Sequence, residues 1–102
     1  MKEYIWLVQL DIPTELEDEF NRIYDAEHVP AISKVPGVSS VQRYVLEEPT
    51  EGVQKYTTIY HVDSPDLPHS AEWAAASAEG EWKSKIRPFV VNAKLALFRA
   101  IS

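Results

Sequence analysis

The stretch Val38 to Val62, VSSVQRYVLEEPTEGVQKYTTIYHV, decides the fold that the sequence predicts. Residues Val38 to Glu47 and Lys55 to Val62 are rich in Val, Tyr, Thr and Ile, which are the residue types that strands favour. The segment between them, Glu48 to Gly52, contains Pro49 and is typical of a hairpin loop. The centre of the chain therefore predicts two antiparallel strands joined by a short loop.

A helix is predicted before this hairpin. Thr14 and Glu17 have the spacing of a capping box, in which the hydroxyl and the carboxylate satisfy free backbone N–H groups. We expect the helix to end near His28, because Pro30 disfavours helical geometry at the residue before it. Ala31 to Val35 can form one further turn. Its apolar stripe consists of Leu16, Phe20, Ile23 and Tyr24.

A second helix is predicted after the hairpin. It begins at Ser70, runs through a series of alanines with a break near Gly80, and ends at Pro88. Trp73 falls off the apolar stripe of this helix, so we expect it to line a pocket or an interface. The stripe itself consists of Ala71, Ala74, Ala75, Ala78, Trp82 and Ile86.

Two further strands, Tyr4 to Asp11 and Val90 to Ile101, lie outside the helices and complete the order βαββαβ. This order predicts one α+β domain over residues 1–102, a ferredoxin-like four-stranded antiparallel sheet with both helices on one face. Two short helices cannot cover all of the large apolar strand residues. We therefore expect a homodimer whose sheets pack into an α/β barrel with a pocket in each half. The residues that require this cover are Tyr44, Tyr56, Tyr60, Leu95 and Phe98.

Composition excludes several classes of function. The net charge of −6 repels phosphate backbones, so no nucleic-acid partner is expected. The absence of cysteine excludes disulfides, thiolate metal sites and a cysteine nucleophile. The apolar run near the N-terminus is too short to span a membrane and lacks a cleavage site, so we expect a cytoplasmic protein without a membrane partner. No metal is expected, because His28, His61 and His69 lack ligand spacing.

The densest polar cluster is Tyr24 to Pro30, YDAEHVP. Asp25 and His28 are three residues apart, so they can meet on one helix face. A carboxylate from Asp25 or Glu27 beside the imidazole would orient it as a general acid or base. In the alternative interpretation, His28 only caps the negative end of the helix.

The strands supply the other candidate residues. Arg43 and Tyr44 point to opposite faces, and Arg43 either faces the pocket, where it would bind an anion or oxyanion, or lies in solvent. Tyr60 and His61 also point to opposite faces, and one of them would be a second proton donor. The apolar wall of a substrate site is expected from Trp6, Tyr44, Trp73 and Trp82.

Three blocks of sequence resemble the dimeric α/β-barrel superfamily, in particular its small EthD-like members. The first block is Tyr24 to Pro30 followed by Val35-Pro36-Gly37-Val38 and Arg43-Tyr44, which is similar to the family's W/Y-x-x-E-H-x-P … P-G … R-Y pattern. The other blocks are Lys55 to Tyr60 with Asp63-Ser64-Pro65, and Trp82 to Phe89.

The resemblance implies a homodimer with a pocket bounded by the first helix and the sheet, and the histidine matching His28 often lies at that pocket. The superfamily includes cofactor-free monooxygenases, muconolactone isomerases and haem-degrading enzymes. Haem-degrading members carry an Asn, Trp and His set. Here Gln9 stands where that set has Asn, and no histidine follows Trp82, so a haem role is not expected.

We therefore expect an enzyme that needs no cofactor and acts on a hydrophobic aromatic, polyketide-like or lactone metabolite by acid–base proton transfer. His28 would move the proton, Asp25 or Glu27 would orient it, and Arg43 would stabilise an enolate. Isomerase, lyase and cofactor-free monooxygenase reactions all begin in this way. The alternative function is a non-catalytic homodimer that binds a small molecule.

Overall fold

The computed structural model describes residues 3–102 as a four-stranded antiparallel sheet with helices on one face. The strands are β1 (Tyr4–Asp11), β2 (Val38–Val45), β3 (Tyr56–Val62) and β4 (Val91–Arg99). Their order across the sheet is β2-β3-β1-β4, so the two strands that adjoin in the middle are not consecutive in the chain. This arrangement confirms the ferredoxin-like α+β fold, and each strand boundary lies within two residues of its prediction.

Burial alternates along β3 because one face of the sheet carries the helices. Tyr56, Thr58, Tyr60 and Val62 are buried beneath them, whereas His61 is exposed on the opposite face. Alternation of side chains along a strand produces this pattern. Tyr56 and Tyr60 are therefore covered within one copy of the chain, contrary to our expectation that they need a second subunit.

The first helical segment continues past the predicted end at His28. A 3₁₀ turn at Thr14–Leu16 leads into α1 (Glu17–Ile23), a π-helical turn (Tyr24–His28) and α2 (Val29–Ser33) without interruption. In the π-turn, the Val29 N–H donates to the carbonyl of Tyr24, five residues back. A proline in a regular α-helix clashes with the carbonyl four residues before it. The wider π-turn lies immediately before Pro30, and helical structure resumes across this proline.

The predicted capping box is also wrong. Thr14 lies inside the 3₁₀ turn, and neither helical start carries a side-chain capping bond. The Glu17 carboxylate instead accepts a hydrogen bond from the Tyr56 hydroxyl at 2.6 Å and pairs with the Lys55 ammonium at 2.6 Å. Glu17 therefore joins α1 to β3, and these contacts lower the pKa of its carboxyl.

The second helical segment is more irregular than predicted. A 3₁₀ turn at Leu67–His69 precedes α3 (Ala71–Ser77), which Ser70 caps by accepting a hydrogen bond from the Trp73 N–H at 3.2 Å. After a break at Gly80, a second π-turn (Trp82–Ile86) and a 3₁₀ turn (Arg87–Phe89) lead to β4.

The predicted alanine stripe is wrong because of these breaks. Trp73 and Ala76 are the buried residues of α3, while Ala71, Ala74, Ala75 and Ala78 are exposed. Trp82 and Ile86 are buried as predicted. The turn at Gly80 interrupts the helix, so uniform helical spacing counted back from these two residues no longer identifies the buried face of α3.

Glu27 connects the first π-turn to the turn at Gly80. Its carboxylate accepts a hydrogen bond from the Glu81 N–H at 3.0 Å. Gly80 has a φ of +70°, and a Cβ placed on it would collide with the same carboxylate. Glycine at this position therefore permits both the left-handed turn and the close approach that brings Trp82 towards His28.

Replacing Gly80 by alanine should destabilise the protein more than the same change at Gly52. Both glycines have positive φ, but nothing lies within 4 Å of a Cβ at Gly52. Gly52→Ala should therefore lower the free energy of unfolding by about 1 kcal/mol through backbone strain alone, and Gly80→Ala by about 2–3 kcal/mol. Urea denaturation measures both. Equal losses would show that the contact with Glu27 contributes nothing.

The sheet face opposite the helices carries apolar side chains that no other part of residues 3–102 covers. Tyr44 on β2 and Phe98 on β4 are 53% and 50% exposed. Ile5, Leu7 and Ile59 occupy the same face by strand register and are half-buried. We call this surface the bare sheet face. Among residues 3–102, no helix has the length and apolar character needed to cross a membrane.

Candidate active site between the second helical segment and the sheet

A cavity of about 580 Å³ lies between the second helical segment and the helix-covered face of the sheet. Trp6 and Val8 of β1 and Leu95 of β4 form its floor. Trp73 and Trp82 form the roof. Such a volume suits a small ligand of one or two rings, and the three tryptophans supply broad apolar walls.

His28 stands at one end of this cavity. Its side chain is 5% exposed and packs between two aromatic rings, with centroid distances of 4.8 Å to Tyr24 and 4.7 Å to Trp82. Its Nδ1 is inaccessible and has no hydrogen-bond partner among the described residues. Nε2 is therefore the ring atom through which His28 can exchange a proton with a ligand.

The imidazole is held in its neutral form. Burial is the main cause that lowers the pKa of His28, from 6.5 to about 4, and the positive charges of Arg87 and Arg43 lower it further. Loss of hydration disfavours the charged ring, and neighbouring cations repel it. At neutral pH the ring carries one N–H and one lone pair, and in the tautomer with the proton on Nδ1 the lone pair on Nε2 can accept a proton from a ligand.

This pKa makes stability fall in mild acid. Between about pH 6.5 and 4 the unfolded chain binds a proton at His28 that the folded chain excludes, so folding weakens as the pH falls through this interval. The loss should reach about 3 kcal/mol at pH 4. Urea denaturation of wild type and His28→Gln between pH 7 and 4 isolates the effect, because other groups titrate in both. Parallel curves would contradict the assignment.

A pair of tyrosines lies beside the histidine. The hydroxyl oxygens of Tyr24 and Tyr60 are 2.6 Å apart, both side chains are 1% exposed, and both line the cavity. Burial raises the pKa of each hydroxyl, that of Tyr60 well above its ordinary value. Both phenols are therefore protonated at neutral pH, and the pair can donate a hydrogen bond to a ligand oxygen.

The predicted orienting carboxylates point elsewhere. Asp25 pairs with Arg43 at 2.8 Å and is largely exposed, and Glu27 binds the backbone of Glu81. Neither forms a hydrogen bond with His28, so the orientation of the ring rests on its packing against Tyr24 and Trp82.

Arg43 lies on the helix-covered face but outside the cavity. Its guanidinium donates to Asn21 and Asp25 at 2.8 Å each and sits 4.6 Å from the centroid of the Tyr24 ring. It lies over the face of this ring as a cation–π partner. In this position Arg43 contacts Tyr24 and does not line the cavity.

The other strand candidates divide between the two faces of the sheet. Tyr60 lines the cavity, whereas Tyr44 and His61 are on the bare sheet face and do not line it. Trp6, Trp73 and Trp82 also line the cavity.

The lining of the cavity also includes Tyr24, Lys83 and Arg87, which were not among our candidates. Tyr24 precedes His28 by four residues, and this spacing placed both on one helix face. Lys83 and Arg87 belong to a group of bases that the sequence alone assigns to a solvated surface. Their place at the cavity depends on the second π-turn, which the sequence does not reveal.

The fold and this site define the class of protein. It is a small α+β protein of the ferredoxin-like type with an aromatic cavity between its helices and its sheet. No model of a known family matches the sequence, and no curated protein matches it. Known structures therefore provide the comparison.

Three similar structures show how widely this fold is used. An EthD family protein from Bacillus halodurans is 16% identical, with 93% of this chain and 96% of that chain covered and a TM-score of 0.66. MhuD, a haem-degrading protein of Mycobacterium tuberculosis with two haems in its active site, is 18% identical over 97% and 96%, with a TM-score of 0.68. A dimeric ferredoxin-like protein of unknown function from Thermobifida fusca is 11% identical over 97% and 92%, with a TM-score of 0.61.

Within the described part of the chain, the imidazole of this cavity lacks a protein partner of the kind that usually fixes a metal-bound histidine. A histidine that binds a metal almost always donates its other ring N–H to a carboxylate, a carbonyl or water, which fixes the ring. The one imidazole that lines the cavity belongs to His28, and its Nδ1 has no such partner among the described residues. Within residues 3–102, no group of three or more His, Asp or Glu side chains is placed to hold a metal ion.

Proposed function

We propose that this protein is an enzyme that moves a proton at the carbon next to a carbonyl group of a hydrophobic, ring-containing compound. One observation carries the proposal. A buried neutral imidazole and a buried pair of protonated phenols stand together at one end of an aromatic cavity. A proton acceptor beside hydrogen-bond donors is the arrangement that enolisation requires.

In the proposed step, the lone pair on Nε2 of His28 removes the proton from the α-carbon. The electrons of the broken C–H bond move into the carbonyl group, and negative charge develops on its oxygen. The Tyr24–Tyr60 pair donates a hydrogen bond to that oxygen. Return of the proton to another carbon gives isomerisation, and loss of a leaving group gives elimination. Attack on dioxygen gives cofactor-free oxygenation.

Two features of the site provide orientation without a cofactor, one for the substrate and one for His28. The tryptophans of the cavity can hold an aromatic ring by stacking and edge contacts. The packing of His28 between Tyr24 and Trp82 limits the rotation of the imidazole, so the ring keeps its orientation without a hydrogen bond to a carboxylate.

Deuterium exchange tests the proposal. The probes are 2-tetralone, a bicyclic ketone, and benzofuran-2(3H)-one, a bicyclic lactone, each with acidic protons beside the carbonyl. In deuterated buffer at neutral pH, the protein should accelerate incorporation of deuterium at that carbon, as followed by NMR. Exchange no faster than in buffer for both probes would remove the proposal for ketones and lactones.

The second candidate is a binding protein without turnover, and its cavity would be the same. It predicts that both probes bind, as seen by quenching of tryptophan fluorescence, while their exchange rates stay at the level of buffer. The two measurements on one sample therefore separate the candidates.

We also propose that two copies pair through the bare sheet face. Tyr44 and Phe98 there expose apolar surface that pairing would bury. Sedimentation equilibrium at micromolar concentration should give twice the chain mass of 11.6 kDa. Phe98→Lys should shift the equilibrium to monomer, while Phe89→Lys, at an exposed position before β4, should leave the dimer intact. A wild-type monomer would contradict the pairing.

A further inference from the structure

Charge is distributed unevenly between the cavity and the rest of the protein. The chain carries 16 acidic and 10 basic residues, for a net charge of −6. Yet the residues that line the cavity include Lys83 and Arg87 and no carboxylate. In so acidic a protein, an apolar cavity whose charged groups are all positive is an unexpected arrangement.

The two cations are also unpaired. Ion pairs among residues 3–102 involve Arg22, Arg43, Lys55 and Lys85, and neither Lys83 nor Arg87 takes part in one. Lys85, which lies between them in the chain, is by contrast paired with Glu81 at 2.6 Å. All three side chains are exposed, but only Lys83 and Arg87, which have no ion-pair partner among residues 3–102, line the cavity.

We propose that the substrate is an aromatic or lactone-type compound that carries a carboxylate, and that Lys83 and Arg87 bind this carboxylate while the ring lies among the tryptophans. The inference rests on the proposed function, since it names the substrate class of the same cavity. Arg87 supplies a guanidinium, which matches a carboxylate with two parallel N–H groups, and Lys83 adds a point charge.

Binding of such a carboxylate also changes the histidine. After burial, the charge of Arg87 is the larger of the two that lower the pKa of His28, and the charge of Arg43 is the smaller. The aromatic neighbours Tyr24 and Trp82 carry no charge. A bound anion offsets the charge of Arg87, so the pKa of His28 rises and the ring becomes a stronger base when substrate is present. The substrate would thus activate the group that attacks it.

A matched pair of probes tests the proposal directly. 2-Naphthoate and 2-naphthamide share one ring system, and only the naphthoate is charged at neutral pH. Quenching of tryptophan fluorescence in the full chain should show naphthoate bound about tenfold more tightly. Arg87→Gln and Lys83→Gln should each remove most of this preference, because one of the two charged contacts is lost. Lys85→Gln, which changes an exposed cation outside the cavity, should retain it.

A second readout follows the His28 ring by NMR. The pKa of His28 should be higher with saturating naphthoate than with saturating naphthamide, which carries no charge to offset that of Arg87. Equal affinities of the two probes, a preference unchanged in both cavity variants, or no binding of either probe would overturn the inference. Deuterium exchange of the neutral ketone and lactone probes would still report separately on the proposed function.

Discussion

Replacing His28 by glutamine should lower the accelerated deuterium exchange of 2-tetralone about 100-fold. General-base catalysis contributes roughly 10²–10⁴-fold, and the lower end applies because a base whose pKa is about 4 has a weak drive to take up a proton. Glutamine keeps a polar side chain of similar length but has no basic nitrogen. The exchange rate, measured by NMR at saturating probe, reports the loss.

The matched control is His61→Gln. His61 is exposed on the bare sheet face, on the other side of β3 from Tyr60, so the same chemical change there should leave exchange within twofold of wild type. The rate for wild type should also stay flat from pH 8 to 5 and fall only as the pH approaches 4, because protonation removes the lone pair. Loss of rate with a midpoint near 6.5 would show that another group, or an unburied histidine, moves the proton.

Replacing Trp82 by alanine should have the largest effect on stability, a loss of about 3–5 kcal/mol in the free energy of unfolding. The indole is 7% exposed and contacts the rings of Phe20, Tyr24 and His28, with centroid distances of 4.7 to 6.1 Å. Its removal leaves a void that joins the core to the cavity. Urea denaturation measures the loss, and Phe89→Ala, at a half-exposed aromatic residue nearby, should cost less than about 1 kcal/mol.

The Trp82→Ala variant also tests whether the indole provides the burial that keeps His28 neutral. With the indole gone, water can reach the His28 ring, so its pKa should rise from about 4 towards 6.5. NMR titration of the ring protons gives this value in the folded variant. An unchanged pKa would show that Trp82 does not provide the burial that keeps His28 neutral.

The strands could be predicted because their side chains alternate over many residues. The runs of β-branched and aromatic residues and the hairpin loop with Pro49 and Gly52 predict β2 and β3 and their antiparallel pairing, but not which face of each strand lies beneath the helices. The helices could not be bounded in the same way. Pro30 disfavours a regular helix, and only the π-turn at Tyr24–His28 explains why the helix continues. The sequence carries no periodic sign of a π-turn.

Only part of the candidate site could be predicted from the sequence. His28 and the tryptophans are recognisable by residue type, and their cavity location follows from the fold. The contact between the Tyr24 and Tyr60 hydroxyls joins residues 36 apart in the chain, so spacing does not indicate it. The ion pair between Asp25 and Arg43 joins residues 18 apart in the chain, so spacing does not indicate it either.

The most direct test of the account is the position of a ligand that resembles the enol. 2-Naphthol has the ring system and oxygen position of enolised 2-tetralone. A crystal structure of the protein with 2-naphthol should show the ring among Trp6, Trp73 and Trp82, with its oxygen about 2.7 Å from a hydroxyl of the Tyr24–Tyr60 pair. A ring seated outside this cavity, or a cavity filled by side chains of a second copy, would contradict the proposal that His28 acts on a bound carbonyl compound.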